Sequence, residues 1–244
     1  MSSNQIDKDY AKAWDLHQGN FAHGIAEKLV EFSREHKRKI KTALDVCCGA
    51  GNLLNVFSNY GITGYGTETR LGMIEYVTEK YPEMKFFHTK NMYDMPIKKK
   101  VDLVTCTHDI INYLETLDEW KQMFKNAYKS LNNHGMFLFD YYSKHKLQNW
   151  EETSYTSSDY LDCIQSVKSG IYDKSVITLT YFINYNDYMR KTRDIIVESY
   201  FENNVILNEL KNAGFKNIKS VDENLNEIDN VEYVDRVIVI AMKK

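Results

Sequence analysis

Short apolar runs alternate with longer amphipathic segments through most of the chain. The apolar runs have the length of buried strands and cover residues 41–47, 62–68, 84–89, 100–107 and 135–142. The segments between them place apolar side chains at helical spacing, over residues 52–61, 70–80 and 117–131. Strands that alternate with helices pair in parallel through right-handed crossovers. The pattern therefore predicts an α/β protein with a doubly wound, mostly parallel sheet.

The alternation changes near the C-terminus. Residues 203–215 predict a helix that stops at Gly214, and strands follow at 216–222 and 234–244 with only a polar loop between them. Two strands joined without a helix cannot be parallel neighbours. We therefore expect a seven-stranded sheet whose last strand is antiparallel to the others.

Residues 150–198 depart from this rhythm. They contain three segments that alternate like strands, with turn residues at 170–174 and 186–188. An insertion here leaves the carboxyl end of a strand, the edge at which open α/β sheets bind ligands. We expect an antiparallel β lid over a site at that edge.

The same pattern divides the chain into three parts. Residues 1–149 would form a ligand-binding core with an N-terminal helical cover, in which residues 10–39 predict one or two helices. Residues 150–198 would form the lid, and residues 199–244 would complete the core.

Composition and charge limit the partners of the protein. The chain has 31 Lys and Arg residues against 34 Asp and Glu, and this charge of -3 gives no general attraction to nucleic acid or to an anionic membrane. Its apolar runs are far shorter than the roughly 20 residues that span a bilayer, and the first ten residues contain no apolar signal segment. We expect a cytoplasmic protein with a small-molecule partner. The sequence leaves the oligomeric state open.

Two adjacent cysteines occur in the segment LDVCCGAGN, residues 44–52. They could form a metal or redox site, or they could be small residues in a tight turn. Zinc and redox sites separate their cysteines by two or more residues, and no second group of ligands lies nearby in the sequence. We therefore predict no metal, and we interpret Cys47 and Cys48 as small residues in a turn between a strand and a helix.

The glycines of this turn suggest a ligand that approaches the backbone. Gly49 and Gly51 precede a helix whose free N–H groups can bind polar atoms, but their spacing differs from the G-x-G-x-x-G that holds a dinucleotide pyrophosphate. Glu68 ends the next strand, where an acid can accept hydrogen bonds from both hydroxyls of a ribose. Together these residues indicate a nucleoside ligand without a diphosphate.

LDVCCGAGN resembles the first motif of the class I S-adenosylmethionine-dependent methyltransferases, h-h-D-h-G-x-G-x-G, with Cys47 in place of the first glycine. GYGTETRLGMIEYV, residues 64–77, resembles the second-strand motif with Glu68 as the ribose acid. FFHTKNMYDMPI, residues 86–97, resembles the adenine-side motif, with Asn91 and Met92 at its centre. VDLVTCTHDIINYL, residues 101–114, resembles the motif of the fourth strand.

This resemblance implies a Rossmann-like methyltransferase fold, with S-adenosyl-L-methionine as cofactor and S-adenosyl-L-homocysteine as product. The segment YAKAWD and the β insertion look most like small bacterial methyltransferases with an N-terminal helical cover, several of which methylate amino groups. The cofactor-binding residues implied are Tyr10, Trp14, Asp45, Cys47, Gly49, Gly51, Glu68, Thr69, Met73, Asn91, Met92, Thr107 and His108. Tyr10 and Trp14 are equally well explained as anchors of the N-terminal helix.

Candidate catalytic residues follow the fourth strand. Methyl transfer from a sulfonium depends mainly on positioning and desolvation, and it needs a base only where the acceptor must lose a proton. The candidates are His108, Asp109 and Tyr113. His108 could be such a base, or an inert residue at the edge of a loop. Glu198 stands where relatives carry a basic residue and favours a cationic acceptor, weakly an amine.

We therefore expect a methyltransferase that acts on a small-molecule acceptor, with an amine favoured over a hydroxyl. An alternative is a protein that keeps the fold and binds the cofactor in a regulatory role. Methylation of RNA fits less well, because the net charge is negative and no basic stripe is present.

Overall fold

A seven-stranded sheet and a separate four-stranded sheet organise the chain. The computed structural model describes residues 3–36, 38–171, 174–185 and 188–244. The helices are α1 (Ser3–Glu35), α2 (Asn52–Asn59), α3 (Leu71–Lys80), α4 (Leu117–Ser130), α5 (Lys144–Asn149) and α6 (Asn203–Ala213). The strands are β1 (Thr42–Asp45), β2 (Thr63–Glu68), β3 (Lys85–His88), β4 (Val101–Cys106), β5 (Leu131–Tyr142), β6 (Glu152–Ser157), β7 (Leu161–Ile171), β8 (Lys174–Tyr185), β9 (Tyr188–Ser199), β10 (Lys216–Val221) and β11 (Arg236–Met242).

The larger sheet has the strand order β10-β11-β5-β4-β1-β2-β3. Strand β1 pairs in parallel with β2 and β4, whereas β11 pairs antiparallel with both β5 and β10. The prediction of a mostly parallel seven-stranded sheet with a reversed last strand is confirmed. The chain changes direction across the sheet between β1 and β4, and α/β sheets bind ligands at such a point.

Helices cover both faces of this sheet because its strands are apolar on both sides. In β1, Leu44 belongs to the buried cluster under α4 and α6, and Ala43 belongs to the cluster under α1 and α2. Helix α4 buries Trp120 and Phe124. Apolar side chains on two faces are the signature of a doubly wound sheet.

The smaller sheet is antiparallel, with the order β6-β7-β8-β9. It confirms the predicted antiparallel β insertion, but the sequence predicted three strands and the structure has four. Strand β6 was missed because it is mostly exposed, and its sequence ETSYTS lacks apolar alternation. The predicted turns include residues 172–173 and 186–187, which lie outside the described residues. The three-part division of the chain stays a prediction.

Helix α1 is a single helix of 33 residues where the sequence allowed one or two. Its C-terminal half packs on the larger sheet through residues such as Leu29. Its N-terminal half packs on the smaller sheet through Tyr10 and Ala11, and the Tyr185 hydroxyl donates a hydrogen bond to Asp9 at 2.8 Å. The helix therefore joins the two sheets over the carboxyl edge of the strands.

In the described part of the chain, no helix combines the length and the apolar character that crossing a bilayer requires.

Replacing Gly66 with Ala should destabilise the fold. A Cβ at Gly66 would lie 2.6 Å from Cys48 Sγ and 2.7 Å from Phe86 Cδ1, so the turn after β1 or strand β3 would have to shift. Such overpacking costs about 1–3 kcal/mol. Urea denaturation measures this loss in the free energy of unfolding. Gly24→Ala in α1 is the control, because a Cβ there meets nothing within 4 Å. Equal stability of the two variants would contradict this packing.

Candidate active site

A cavity of about 390 Å³ lies at the carboxyl edge of β1, β2 and β4, between α1 and β9. It is the place where the strand order and the β insertion predicted a site. The predicted site residues that line it are Tyr10, Trp14, Asp45, Cys47, Gly49, Glu68, Thr69, Met73, Met92, Thr107, His108 and Tyr113. Three other predicted residues, Gly51, Asn91 and Asp109, are not part of its lining.

The turn from β1 into α2 is left-handed at three positions. The φ angles are +53° at Cys47, +52° at Gly49 and +76° at Gly51. A Cβ on Gly49 would point to the cover, 3.6 Å from Trp14 Nε1, whereas a Cβ on Gly51 would meet Val77 Cγ2 at 2.7 Å. Gly49 therefore keeps the cavity open, and Gly51 is required by close packing on α3. The expectation that Gly51 lies against the ligand receives no support from this geometry.

The two cysteines of the turn are packing residues. Burial raises the pKa of both thiols well above the usual value, so both are protonated at neutral pH. A protonated thiol is a poor nucleophile and a poor metal ligand. The side chain of Cys48 fills the space above Gly66, and Cys47 forms part of the cavity wall.

Glu68 connects the turn to the start of α3. Its Oε2 accepts a hydrogen bond from the backbone N–H of Gly49 at 3.2 Å, and its Oε1 accepts from the N–H groups of Thr69 at 2.7 Å and Arg70 at 3.1 Å. These three donors fix the carboxylate at the cavity. Binding of a ribose by its remaining lone pairs stays a prediction.

Asp45 and Asn91 differ in their relation to the cavity. Asp45 is buried and accepts a hydrogen bond from Thr105 Oγ1 at 2.7 Å; burial raises its pKa to about 7. Asn91 turns away, because its backbone N–H and its side-chain Nδ2 both donate to Asp94 Oδ2 at 3.0 Å. Met92, the next residue, lines the cavity in its place.

One face of α1 forms the cover. Tyr10, Trp14, Gln18 and Phe21 all line the cavity. The ring of His108 lies 5.5 Å from the Trp14 ring and 4.6 Å from the Phe21 ring, measured between centroids. Sequence reasoning missed Gln18 and Phe21, although their spacing of four and then three residues after Trp14 places them on the same helical face.

His108 is a weak base in this position. Burial, and next the nearby Arg236, lower its pKa to about 4. The ring is therefore neutral at pH 7, but it accepts a proton far less readily than a free histidine. This favours the interpretation of His108 as part of the wall between Trp14 and Phe21.

Asp109 holds the loop after β4 in place. Its Oδ1 accepts a hydrogen bond from Arg236 Nη2 at 2.7 Å, and Arg236 also bonds Asp140. Asp140 in turn accepts from the backbone N–H groups of His108 at 2.6 Å and Asp109 at 2.9 Å. A carboxylate engaged in this network and outside the cavity lining is a structural anchor. Contact of Asp109 with the reacting atoms is not supported by this arrangement.

Tyr113 is, with His108, one of the two catalytic candidates that line the cavity. Burial raises the pKa of its hydroxyl well above the usual value, and the nearby Asp109 and Glu198 carboxyls add to the effect. The hydroxyl is therefore neutral and can donate or accept a hydrogen bond. It cannot act as a phenolate base at neutral pH.

Glu198 does not face the cavity, so the expectation that it meets a cationic acceptor is wrong. The residue is fully buried, and neither carboxyl oxygen has a hydrogen-bond partner among the described residues. Burial, together with the neighbouring Asp109, raises its pKa well above the usual value. Glu198 therefore keeps its proton at neutral pH.

Two other acids line the cavity and were missed. Asp194 on β9 pairs with Arg70 at 2.5 Å, and Glu115 pairs with Lys174. The Arg70 guanidinium also lies 4.5 Å from the centre of the Tyr10 ring. Neither acid belongs to a motif that the sequence displays. The lid that carries Asp194 has an irregular pattern.

Comparison with known proteins agrees with this geometry. Residues 44–139 match the family model described as a methyltransferase domain. A putative methyltransferase of Geobacillus sp. strain WCH70 is 28% identical over 139 residues, which are 55% of this chain and 55% of that protein. The dTDP-4-amino-2,3,4,6-tetradeoxy-D-glucose N,N-dimethyltransferase of Saccharopolyspora spinosa is 24% identical over 142 residues, 57% of each chain. The alignments thus span little more than half of these two relatives.

A crystal structure of an S-adenosylmethionine-dependent methyltransferase from Clostridium acetobutylicum superimposes with a TM-score of 0.83 at 19% identity, covering 96% of this chain and 98% of that one. This likeness shows that the fold extends well beyond the matched residues 44–139. Residues 44–139 thus match a methyltransferase domain, and the chain as a whole has the fold of this S-adenosylmethionine-dependent methyltransferase.

One departure of this chain from the methyltransferase motif that it resembles has a structural explanation. Cys47 replaces a family glycine at a position where φ is +53°, a conformation that glycine adopts most easily. The substitution is tolerated because the small side chain lies at the cavity wall rather than against backbone.

Replacing Glu198 with Gln should remove a pH-dependent loss of stability. The unfolded chain releases the Glu198 proton near pH 4.3, whereas the folded chain retains it. Between about pH 4.5 and 7 the unfolded state therefore binds fewer protons, and rising pH favours unfolding by up to about 1.4 kcal/mol per pH unit. Gln keeps the shape of the side chain without this proton.

Urea unfolding of both proteins at pH 5 and pH 7 tests this expectation. Asp109, whose pKa burial raises to about 7, interacts with Glu198, so the comparison reports the proton held by this pair. The advantage of Glu198→Gln over the wild type should grow from pH 5 to pH 7. A difference that is the same at both pH values would show that Glu198 adds no proton to the folded pair.

Proposed function

We propose that this protein transfers the methyl group of S-adenosylmethionine to a small-molecule acceptor, and that the acceptor is an amine. The observation that carries the proposal is the single cavity in which the Gly49 turn, Glu68 and Met92 meet the cover and the lid. The methyl donor of the methyltransferases is a nucleoside with a charged methionine tail. Its site must therefore place a backbone that the ligand can approach closely next to an acid that binds the ribose.

The residues of the cavity fit such a donor. Gly49 leaves room next to Trp14 that a side chain would fill, and Glu68 is held at the cavity by three backbone donors. We assign the methionine part to the Gly49 turn, the ribose to Glu68 and the adenine to Met92. When bound, S-adenosylmethionine supplies an electrophilic methyl group on a sulfonium.

The charge of the cavity also suits a sulfonium. Among the described residues of its lining, the acids are Asp45, Glu68, Glu115 and Asp194, and Arg70 is the permanent cation. Burial keeps His108 neutral at pH 7. Asp194 is paired with Arg70 and Glu115 with Lys174, and burial raises the pKa of Asp45 to about 7, so Glu68 is the main negative charge that attracts a cationic ligand.

The two described catalytic candidates in the cavity wall favour an amine acceptor. His108 is a weak base, and Tyr113 stays protonated. An amine that has lost its proton to water before it binds attacks through its lone pair; the N–C bond forms as the C–S bond breaks, and the product ammonium releases its proton to water. A hydroxyl, in contrast, needs a base to become a good nucleophile. The S. spinosa relative, an N,N-dimethyltransferase by name, supports the same choice. The enzyme would then act by positioning the amine and excluding water.

A regulatory protein that binds the donor without turning it over is the second candidate. Incubation with S-adenosylmethionine and matched panels of amino sugars and alcohols, read by the mass of one added methyl group, separates the two. Methylation of amines supports the proposal. Binding without any methylated product supports a regulatory role.

Gly49→Ala should weaken donor binding. The new Cβ would project towards Trp14, into the space assigned to the methionine part. Calorimetry should show that the wild type binds S-adenosylmethionine and S-adenosylhomocysteine with Kd values below about 1 mM, and that Gly49→Ala binds at least about tenfold more weakly.

Gly61→Ala is the matched control. Gly61 has the same left-handed backbone, with φ at +72°, but a Cβ there meets nothing within 4 Å, and the residue is not part of the cavity lining. Its affinity should equal that of the wild type. Equal weakening in both variants would mean that backbone strain is the cause and would remove the assignment. A wild type that binds neither compound would overturn the proposed function.

A further inference from the structure

Two polar links join α1 to α3, and they differ in their distance from the cavity. The inner link is centred on Asp15, whose Oδ2 accepts hydrogen bonds from Lys80 Nζ at 2.6 Å and from the Tyr76 hydroxyl at 2.7 Å. Its Oδ1 accepts from Asn52 Nδ2 at 2.8 Å, and Lys80 also donates to Asn52 Oδ1 at 2.9 Å. These four residues are called the Asp15 cluster below.

The Asp15 cluster is charged and partly buried. Burial alone would raise the pKa of Asp15, but the hydrogen bonds from Lys80, Tyr76 and Asn52 outweigh it and lower the pKa below the usual value. The carboxylate is therefore ionised at neutral pH. Hydrogen bonds to a charged group that is partly shielded from water are stronger than those between neutral groups.

The outer link is an exposed ion pair. Lys8 Nζ lies 2.6 Å from Glu79 Oε1 and 3.4 Å from Glu75 Oε2, and the Glu79 side chain is 70% exposed. Exposed pairs of this kind contribute little to stability. The protein thus contains, between the same two helices, one link at the cavity and one remote from it.

Asp15 directly follows Trp14 on α1, so the cluster fastens the helix next to this ring. The ring of Trp14 lies between the Gly49 turn and His108: its Nε1 is 3.6 Å from the Cβ position of Gly49, and its centroid is 5.5 Å from that of His108. Asn52, at the first turn of α2, lines the cavity itself. A shift of α1 that carries Trp14 away from the turn breaks the bonds of Asp15.

We propose that Asp15 is a positioning residue that holds α1 closed over the donor site and thereby slows the release of the bound nucleoside. The inference rests on the proposed function, because it takes S-adenosylmethionine or S-adenosylhomocysteine as the ligand under Trp14. Opening requires the three hydrogen bonds of Asp15 to break together, so the cost falls on dissociation. The rate at which the ligand associates with a protein whose cover is already open is affected less.

Binding kinetics of S-adenosylhomocysteine test the proposal without an acceptor. The variants are Asp15→Ala, Lys80→Met and the double variant, with Lys8→Met as the matched control that cuts the outer link. Asp15→Ala should raise the Kd at least about tenfold, mainly through a faster dissociation rate, as expected for loss of charge-assisted bonds. Its association rate should stay within about threefold of the wild type.

The partner and control variants make the test specific. Lys80→Met should accelerate dissociation in the same direction, and the double variant should be less affected than the two single effects combined, because both act in one network. Lys8→Met should bind and release the ligand like the wild type. Tyr76→Phe, which removes one hydrogen bond, gives a milder variant if Asp15→Ala folds poorly, as judged by the Tm of the unliganded protein.

Three results would overturn the inference. In the first, Lys8→Met releases the ligand like the wild type, and Asp15→Ala, or Tyr76→Phe where that variant replaces it, releases it no faster. Another is an equal acceleration in Lys8→Met, which would show that any link between α1 and α3 has this effect. The third is full additivity of Asp15→Ala and Lys80→Met. If the wild type binds S-adenosylhomocysteine normally in these cases, the proposed function stands and only the role of Asp15 is lost.

Discussion

The tight turn between β1 and α2 is the constraint on which the rest of the site depends. Three of its residues have positive φ angles, and its backbone must pass beneath Trp14 and beside β2 at once. The Glu68 carboxylate accepts a hydrogen bond from Gly49 and so fixes the turn to the start of α3. Any side chain larger than the space at Gly49 or Gly66 disturbs either the cavity or the sheet. The turn therefore determines both the shape of the site and the packing below it.

A second constraint lies where the lid rejoins the core. Ser199 Oγ donates to Leu114 O at 2.6 Å, and Asn112 Nδ2 donates to Ser199 O at 2.9 Å, so the end of β9 is fastened to the loop after β4. Next to this junction, Arg236 bonds Asp109 and Asp140, while Glu198 stays protonated beside them. Breaking a buried network of this kind is costly, so the network fixes the loop after β4, which contributes Thr107, His108 and Tyr113 to the cavity wall.

The sequence predicted the parts of the structure that depend on local patterns. The apolar runs at 41–47 and 100–107 became β1 and β4, and the reversed last strand followed from the missing helix before 234–244. Gly49 and Glu68 were found because their chemistry is visible in a short motif. Strand β6 was not predicted, because its exposed polar residues show no hydrophobic periodicity.

The polar network around the cavity could not be predicted in the same way. Arg236 and Asp109 are 127 positions apart, and only the sheet order β11-β5-β4 brings them together. Glu198 was expected to face the acceptor. This expectation was wrong because alignment to a motif does not show on which side of a lid strand a side chain lies. Asp109 and Asn91 also occupy motif positions, but they do not line the cavity. Motif spacing thus predicted many of the residues that line the cavity, whereas long-range packing determines which motif residues reach it.

The fluorescence of Trp14 during titration with S-adenosylhomocysteine tests the central claim most directly, because this ring lies over the Gly49 turn. The other two tryptophans are Trp120, which is fully buried in the core, and Trp150, which packs on Tyr142. We predict a saturable change in emission in the wild type and its loss in Trp14→Phe, while calorimetry still detects binding by that variant. A saturable change that persists in Trp14→Phe, or no change in the wild type, would contradict a donor site beneath the cover.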